Sequence, residues 1–294
     1  MTLWETLLDP FGYEFFVKGL VAAVLAGALC GLIGVFVILR GMSYIGHGLS
    51  HAIFGGYAAA PLVGLPVVLG AGLWGLASAL AINAVARSRR IGADAAIGVV
   101  TTASFALGVA LLTRFGSTGP SFDALLFGSI NGVATSDLLL LAGALVFAAV
   151  VFTVGYRSFL FSSFDPEVAA VSGVRLRTTE SMLMVVLSLS ILATLKILGV
   201  TLVAATLVIP AVVARMASDA FSRMLWISTL LGSAAGAVGM YLSWYLEVPS
   251  GTTIVLVNAL AFLVVLVVTG GRTLRRAAGL DDHAAAPAPV LAGR

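Results

Sequence analysis

Gly19-Leu-Val-Ala-Ala-Val-Leu-Ala-Gly-Ala-Leu-Cys30 carries no charge, and the apolar run that contains it extends from about 15 to 39, broken only by Lys18 near its start. A helix rises about 1.5 Å per residue and needs about twenty apolar residues to cross a hydrocarbon core roughly 30 Å thick, so this run is long enough to span a bilayer. Comparable runs recur at 46–60, 62–86, 94–113, 137–156, 178–195, 200–217, 222–246 and 251–269. Of the 294 residues 60% are hydrophobic and 10% charged, far from the roughly one-quarter charged residues of a water-soluble domain. The expected fold is therefore all-α: a polytopic helical membrane protein with nine transmembrane helices. Eight is the alternative, because the runs at 178–195 and 200–217 are poorly separated at Lys196-Ile-Leu-Gly199.

One transmembrane domain over 1–275 accounts for nearly the whole chain. Residues 1–14 alternate apolar and acidic positions, as in a short interfacial helix. The segment 116–132 is too broken to span and reads as an outer loop with a partly inserted helix, and the tail 276–294, with Asp281, Asp282, Pro287 and Pro289, reads as disordered. The first residues lack the basic flank and cleavage site of a signal peptide, so the first run is expected to stay as a span. With Cys30 as the single cysteine, no intramolecular disulfide can form. The net charge of +3 reflects topology and gives no reason to expect nucleic acid as a partner.

Cytoplasmic loops are enriched in Lys and Arg. Nine spans with the N-terminus outside leave only Lys18, Arg114 and Lys196 outside among the 16 basic residues, which puts the C-terminus in the cytoplasm and makes this a multi-pass protein of the cytoplasmic membrane. Glu5, Asp9, Glu14, Asp123, Asp137 and Glu247 then lie outside, on a face mildly attractive to cations.

Only three histidines occur, and His47 and His51 stand four apart inside the second run. That spacing puts both imidazoles on one helix face. Neutral imidazole is a preferred ligand for transition metals, and ionisable groups in a membrane span are costly enough to mark functional sites. Hydrogen bonds to Ser43, Tyr44 or Ser50 that merely hold two helices together are the competing explanation. Two ligands are too few for a tight structural zinc site, which takes four, so a transient site for a passing ion fits better. Thr101, Thr102 and Ser104 are weaker candidates for the lining of the path, since Ser and Thr often bond their own helix backbone. Lys196 is expected to snorkel to the interface and Pro210 to break or kink its span.

The stretch Arg40-Gly-Met-Ser-Tyr-Ile-Gly-His-Gly-Leu-Ser-His51 resembles the signature of zinc/manganese ABC importer permeases. Asp94-Ala-Ala-Ile-Gly98, Phe164-Asp-Pro-Glu-Val-Ala-Ala-Val-Ser-Gly173, Lys196-Ile-Leu-Gly199, Leu207-Val-Ile-Pro-Ala-Val-Val-Ala-Arg215 and Pro249-Ser-Gly-Thr-Thr-Ile-Val-Leu256 match in the same order, over about 15 to 270. The resemblance implies a type II ABC importer-like permease paired with a second copy, cytoplasmic ATPase subunits, and an extracytoplasmic metal-binding protein. It implies that the permease is not an enzyme; consistently, no Gly-x-x-x-x-Gly-Lys-[Ser/Thr] phosphate loop occurs. Zinc or manganese is then cargo, and no cofactor is held permanently.

By the same resemblance 157–177 is a cytoplasmic coupling loop. Phe164, Asp165, Pro166, Glu167, Val168 and Gly173 belong to the short helix that meets the ATPase. The local chemistry agrees: Asp165 suits an N-cap, Pro166 the first helical position, and Glu167 the positive helix end. The family pattern places an acidic residue at position 47, where this chain has His. Exchanging an oxygen donor for a nitrogen donor favours zinc over manganese. An ATPase-independent transporter or channel, a permease for a metal chelate such as a siderophore or cobalamin, and an intramembrane metalloenzyme are the alternatives. The last lacks a third ligand and a general acid near the pair.

Overall fold

The computed structural model describes residues 8–86, 92–115, 126–128 and 133–284. Eleven α-helices follow one another there: α1 Glu14–Leu39, α2 Ile45–Ala59, α3 Val67–Ala86, α4 Ala93–Phe115, α5 Thr135–Val154, α6 Tyr156–Phe164, α7 Pro166–Val171, α8 Leu176–Leu198, α9 Val203–Ala217, α10 Phe221–Leu246 and α11 Ser250–Ala284. Two 3-10 turns, Asp9–Gly12 and Ala60–Val63, precede α1 and follow α2. Among the described residues there is no strand. Membrane-spanning backbone must satisfy its own polar groups, and helices do so within each segment.

Each expected span coincides with one of these helices. Among the described residues, seven of these helices are long and apolar enough to cross a membrane by themselves, so the expected nine crossings are not confirmed. α2 and α9 have 15 residues each, or about 22 Å of rise. α2 gives way to the turn at Ala60, and α9 starts only after the chain has turned at Gly199, which takes φ +77°. α9 runs unbroken through Pro210. Residues 276–284, expected to be disordered, continue α11 as helix. The expected loop helix at 116–132 and the first half of the expected interfacial segment lie largely outside the described residues, as do 285–294.

α1 and α8 form the centre of the bundle, with 72% and 67% of their apolar windows buried, against 22–33% for the other long helices. α1 packs against α10 along small residues. A methyl group on Gly27 would run into the backbone of Gly232, and one on Gly236 into the backbone of Ala23. Ser228 closes the seam by donating to the Gly31 carbonyl at 2.6 Å. Small residues let membrane helices approach closely enough for such backbone contact.

Aromatic clusters mark the two ends of the bundle. At one, Phe36 stacks on Phe152 with centroids 4.0 Å apart and meets Phe159 and Phe221 edge-on. At the other, Phe16 meets Trp244, and Lys196 pairs with Asp137 at 2.5 Å. The expected snorkelling lysine is thus held by a carboxylate. Arg40, Arg157, Arg175, Arg215 and Arg223 all belong to the Phe36 end.

Candidate metal pathway

α2 lies between α4, which runs alongside it in the same direction, and α3, which runs back. Gly48 faces Ile97 and Thr101, and Gly55 faces Ser104, so the two helices nearly touch where the histidines project. The ring centroids of His47 and His51 are 4.3 Å apart and their planes are inclined by 47°. The expected sharing of one face is therefore observed.

His47 is exposed and His51 half-buried. The Nδ1 of His51 lies 3.0 Å from the His47 carbonyl oxygen. As an N–H donor there it fixes the tautomer, and Nε2 keeps the lone pair that a metal needs. The Ser50 hydroxyl lies 2.9 Å from the same carbonyl and 2.8 Å from the carbonyl of Val200. The hydroxyl therefore joins the histidine helix to the turn between α8 and α9.

The two imidazoles open onto a cavity of about 460 Å3 lined also by Tyr44, Asp94, Ile97, Gly98, Thr101, Thr102 and Phe105. The Phe105 ring stands 5.0 Å from that of His51. Thr101 and Thr102 share the lining of this cavity with the histidines, and among the described residues the buried Thr101 hydroxyl has no hydrogen-bond partner, not even its own helix backbone. Ser104 is not in the lining: the Trp74 indole N–H points to its hydroxyl at 3.4 Å, on the side of α4 that packs against α3.

Tyr44, Asp94 and Phe105 were missed by residue type alone. Asp94, Ile97, Gly98, Thr101 and Phe105 follow one helix face at steps of three and four, and that periodicity was the available signal. Among the described residues, no group of three or more His, Cys, Asp or Glu side chains is placed to hold a metal ion. One chain thus offers two nitrogen donors, with a carboxylate and hydroxyls in the same cavity. This suits an ion in passage better than one held for good.

At the Phe36 end, the Asp165 side chain accepts from the backbone N–H groups of Glu167 and Val168 at 3.1 and 3.0 Å. Pro166 begins α7, and Gly173 leaves it with φ +82°. Val168 and Val171 are exposed along this short helix, and so is Phe164 at the end of α6.

A bundle of apolar helices thus carries, between α2 and α4, a largely apolar cavity into which two imidazoles open. Residues 12–269 match the ABC 3 transport family, and the chain belongs to that family. It is 36% identical over 250 residues to the manganese transport system membrane protein MntC of Halalkalibacterium halodurans, covering 85% of this chain and 86% of that one. It is 32% identical to the chelated iron transport system membrane protein YfeD of Yersinia pestis, covering 90% and 89%. Among solved structures it resembles PsaBC from Streptococcus pneumoniae in complex with Fab, with a TM-score of 0.81 and 29% identity over 90% of this chain and 95% of that chain.

Proposed function

We propose that this chain is the permease of an ABC importer for a divalent transition-metal ion, with zinc as the preferred cargo. The observation that carries the reading is the pair of imidazoles on adjacent turns of α2, opening onto one cavity in a member of a transport family. Two copies face each other so that their histidines line a shared path, and cytoplasmic ATPase subunits engage α7 of each. A metal-binding protein delivers the ion to the opposite face. The arginine-rich Phe36 end is the cytoplasmic one by the positive-inside rule.

In this mechanism the ion exchanges part of its hydration shell for His51 and His47 and leaves when ATP-driven rocking separates the donors. Weak, partial coordination permits that release. Nitrogen donors in place of an oxygen donor favour zinc over manganese. Manganese is the second reading, favoured by the transport of that metal named for the relative in H. halodurans.

The test is uptake in cells that have this system alone, with zinc and manganese competed at equal concentration. Zinc is expected to suppress manganese uptake more than the reverse. A manganese preference overturns the zinc assignment and leaves the importer standing. Absence of metal-dependent uptake overturns both.

A further inference from the structure

Arg40 caps the C-terminal end of α1, and its guanidinium reaches across the Phe36 end of the bundle. Nη2 donates to the Ser162 hydroxyl at 2.6 Å and Nε to the Ser163 hydroxyl at 3.2 Å. The two serines close α6 immediately before Phe164 and the Asp165 cap of α7. On its other side Arg40 is followed by Gly41, whose φ of +67° suits glycine, and then by the short turn into α2. Tyr44 in that turn already lines the histidine cavity. The fork of one side chain therefore joins the segment before α7 to the segment before His47.

The surroundings mark this as a tie and not as packed core. Arg40, Met42, Asn83, Pro166 and Glu180 border a second cavity, of about 400 Å3. Burial disfavours the charged guanidinium, and Glu180 on α8 supplies an opposing charge that offsets part of that cost. Space beside a polar contact lets the joined segments shift together without unpacking. A guanidinium fork is planar and stays charged, so its two bonds fix orientation as well as distance. α7 itself packs on α6 and α8. A push on α7 arrives first at the joint that Arg40 holds.

We infer that Arg40 is the positioning residue that carries movement of α7 to the histidine-bearing helix, its bonds to Ser162 and Ser163 making the α6–α7 joint and the α1–α2 turn move as one. The inference rests on the importer reading, because it assigns a path for the ATPase stroke.

The experiment reconstitutes the permease with its ATPase subunits and metal-binding protein in vesicles, and measures zinc taken up per ATP hydrolysed. Arg40→Gln is expected to lower that ratio about tenfold, within the usual range of coupling effects, while ATP hydrolysis and zinc binding to the purified complex persist. The double variant Ser162→Ala, Ser163→Ala removes the same bonds from the other side with little disturbance and is expected to lower the ratio as well, which keeps the test open if Arg40→Gln does not fold. Arg40→Lys, able to reach one hydroxyl, is expected to fall between. An unchanged ratio in the serine variant overturns the inference, and so does a proportional fall of uptake and hydrolysis. A wild-type complex whose hydrolysis responds to neither zinc nor manganese would instead overturn the importer reading.

Discussion

Two helix seams in this molecule use glycine for close approach and reach opposite ends. Along α1 and α10, Gly27 and Gly236 bring backbone onto backbone, leaving no room even for a methyl group, and the one polar side chain named there, Ser228, is satisfied by Gly31. Along α2 and α4, Gly48 draws the helices together, yet beside it lie two imidazoles, an unpartnered threonine hydroxyl and a cavity of about 460 Å3. The first seam holds the bundle. The second keeps a buried polar group unsatisfied, at a cost of about 1–3 kcal/mol, and is where the proposed function places the passing ion. Close approach alone therefore does not tell a structural contact from a working one; the state of the polar groups does.

If the proposed path is right, His51→Ala has the largest effect: metal uptake is expected to fall by about a hundredfold, with only a small loss of thermal stability in detergent, because the half-buried ring gives up one contact with Phe105 and one bond to its own helix. Undiminished uptake would remove the second seam from function. Gly27→Leu is the counterpart in the first seam: it forces bulk onto the Gly232 backbone, and a loss of about 3 kcal/mol in unfolding free energy is expected. Gly48→Ala meets the β-branched side chains of Ile97 and Thr101 and no backbone, so a stability loss of about 1–2 kcal/mol is expected, below that of Gly27→Leu, while uptake falls several-fold. Equal behaviour of the two glycine variants in both assays would erase the distinction. The smallest effect is expected for Thr101→Val, which removes the unpartnered hydroxyl at nearly constant shape; a gain of about 1 kcal/mol in stability, with reduced uptake, would measure what the polar seam costs.

Most of the helices could be read from the chain. The run at 15–39 became α1, Glu14–Leu39, because uninterrupted apolar length has one solution in a bilayer. The number of crossings was less legible: α2 and α9 fall near the length limit, where the turns at Ala60 and Gly199 decide more than hydropathy does. The helix over 276–284 was hidden by its charged composition, although Arg275, Arg276, Ala277 and Ala278 are good helix formers and Pro287 is the first strong stop after them. In the site, the four-residue spacing of His47 and His51 carried the geometry outright. Ser104 was misjudged because the choice between the two sides of α4 belongs to Trp74 on another helix. The bonds of Arg40 to Ser162 and Ser163 join positions more than a hundred residues apart, a separation at which no periodicity speaks.

Cys30 stands deep within α1, with 2% of its surface accessible, and it is the chain's single thiol. Thiol-directed reagents in the surrounding medium consequently find nothing to modify on the native fold. The same shielding makes the natural sequence a silent background for spectroscopy. A cysteine placed on the exposed side of α7 and another in the α1–α2 turn would be the sole attachment points for a pair of labels, whose changing separation would follow the stroke as it passes through the bundle.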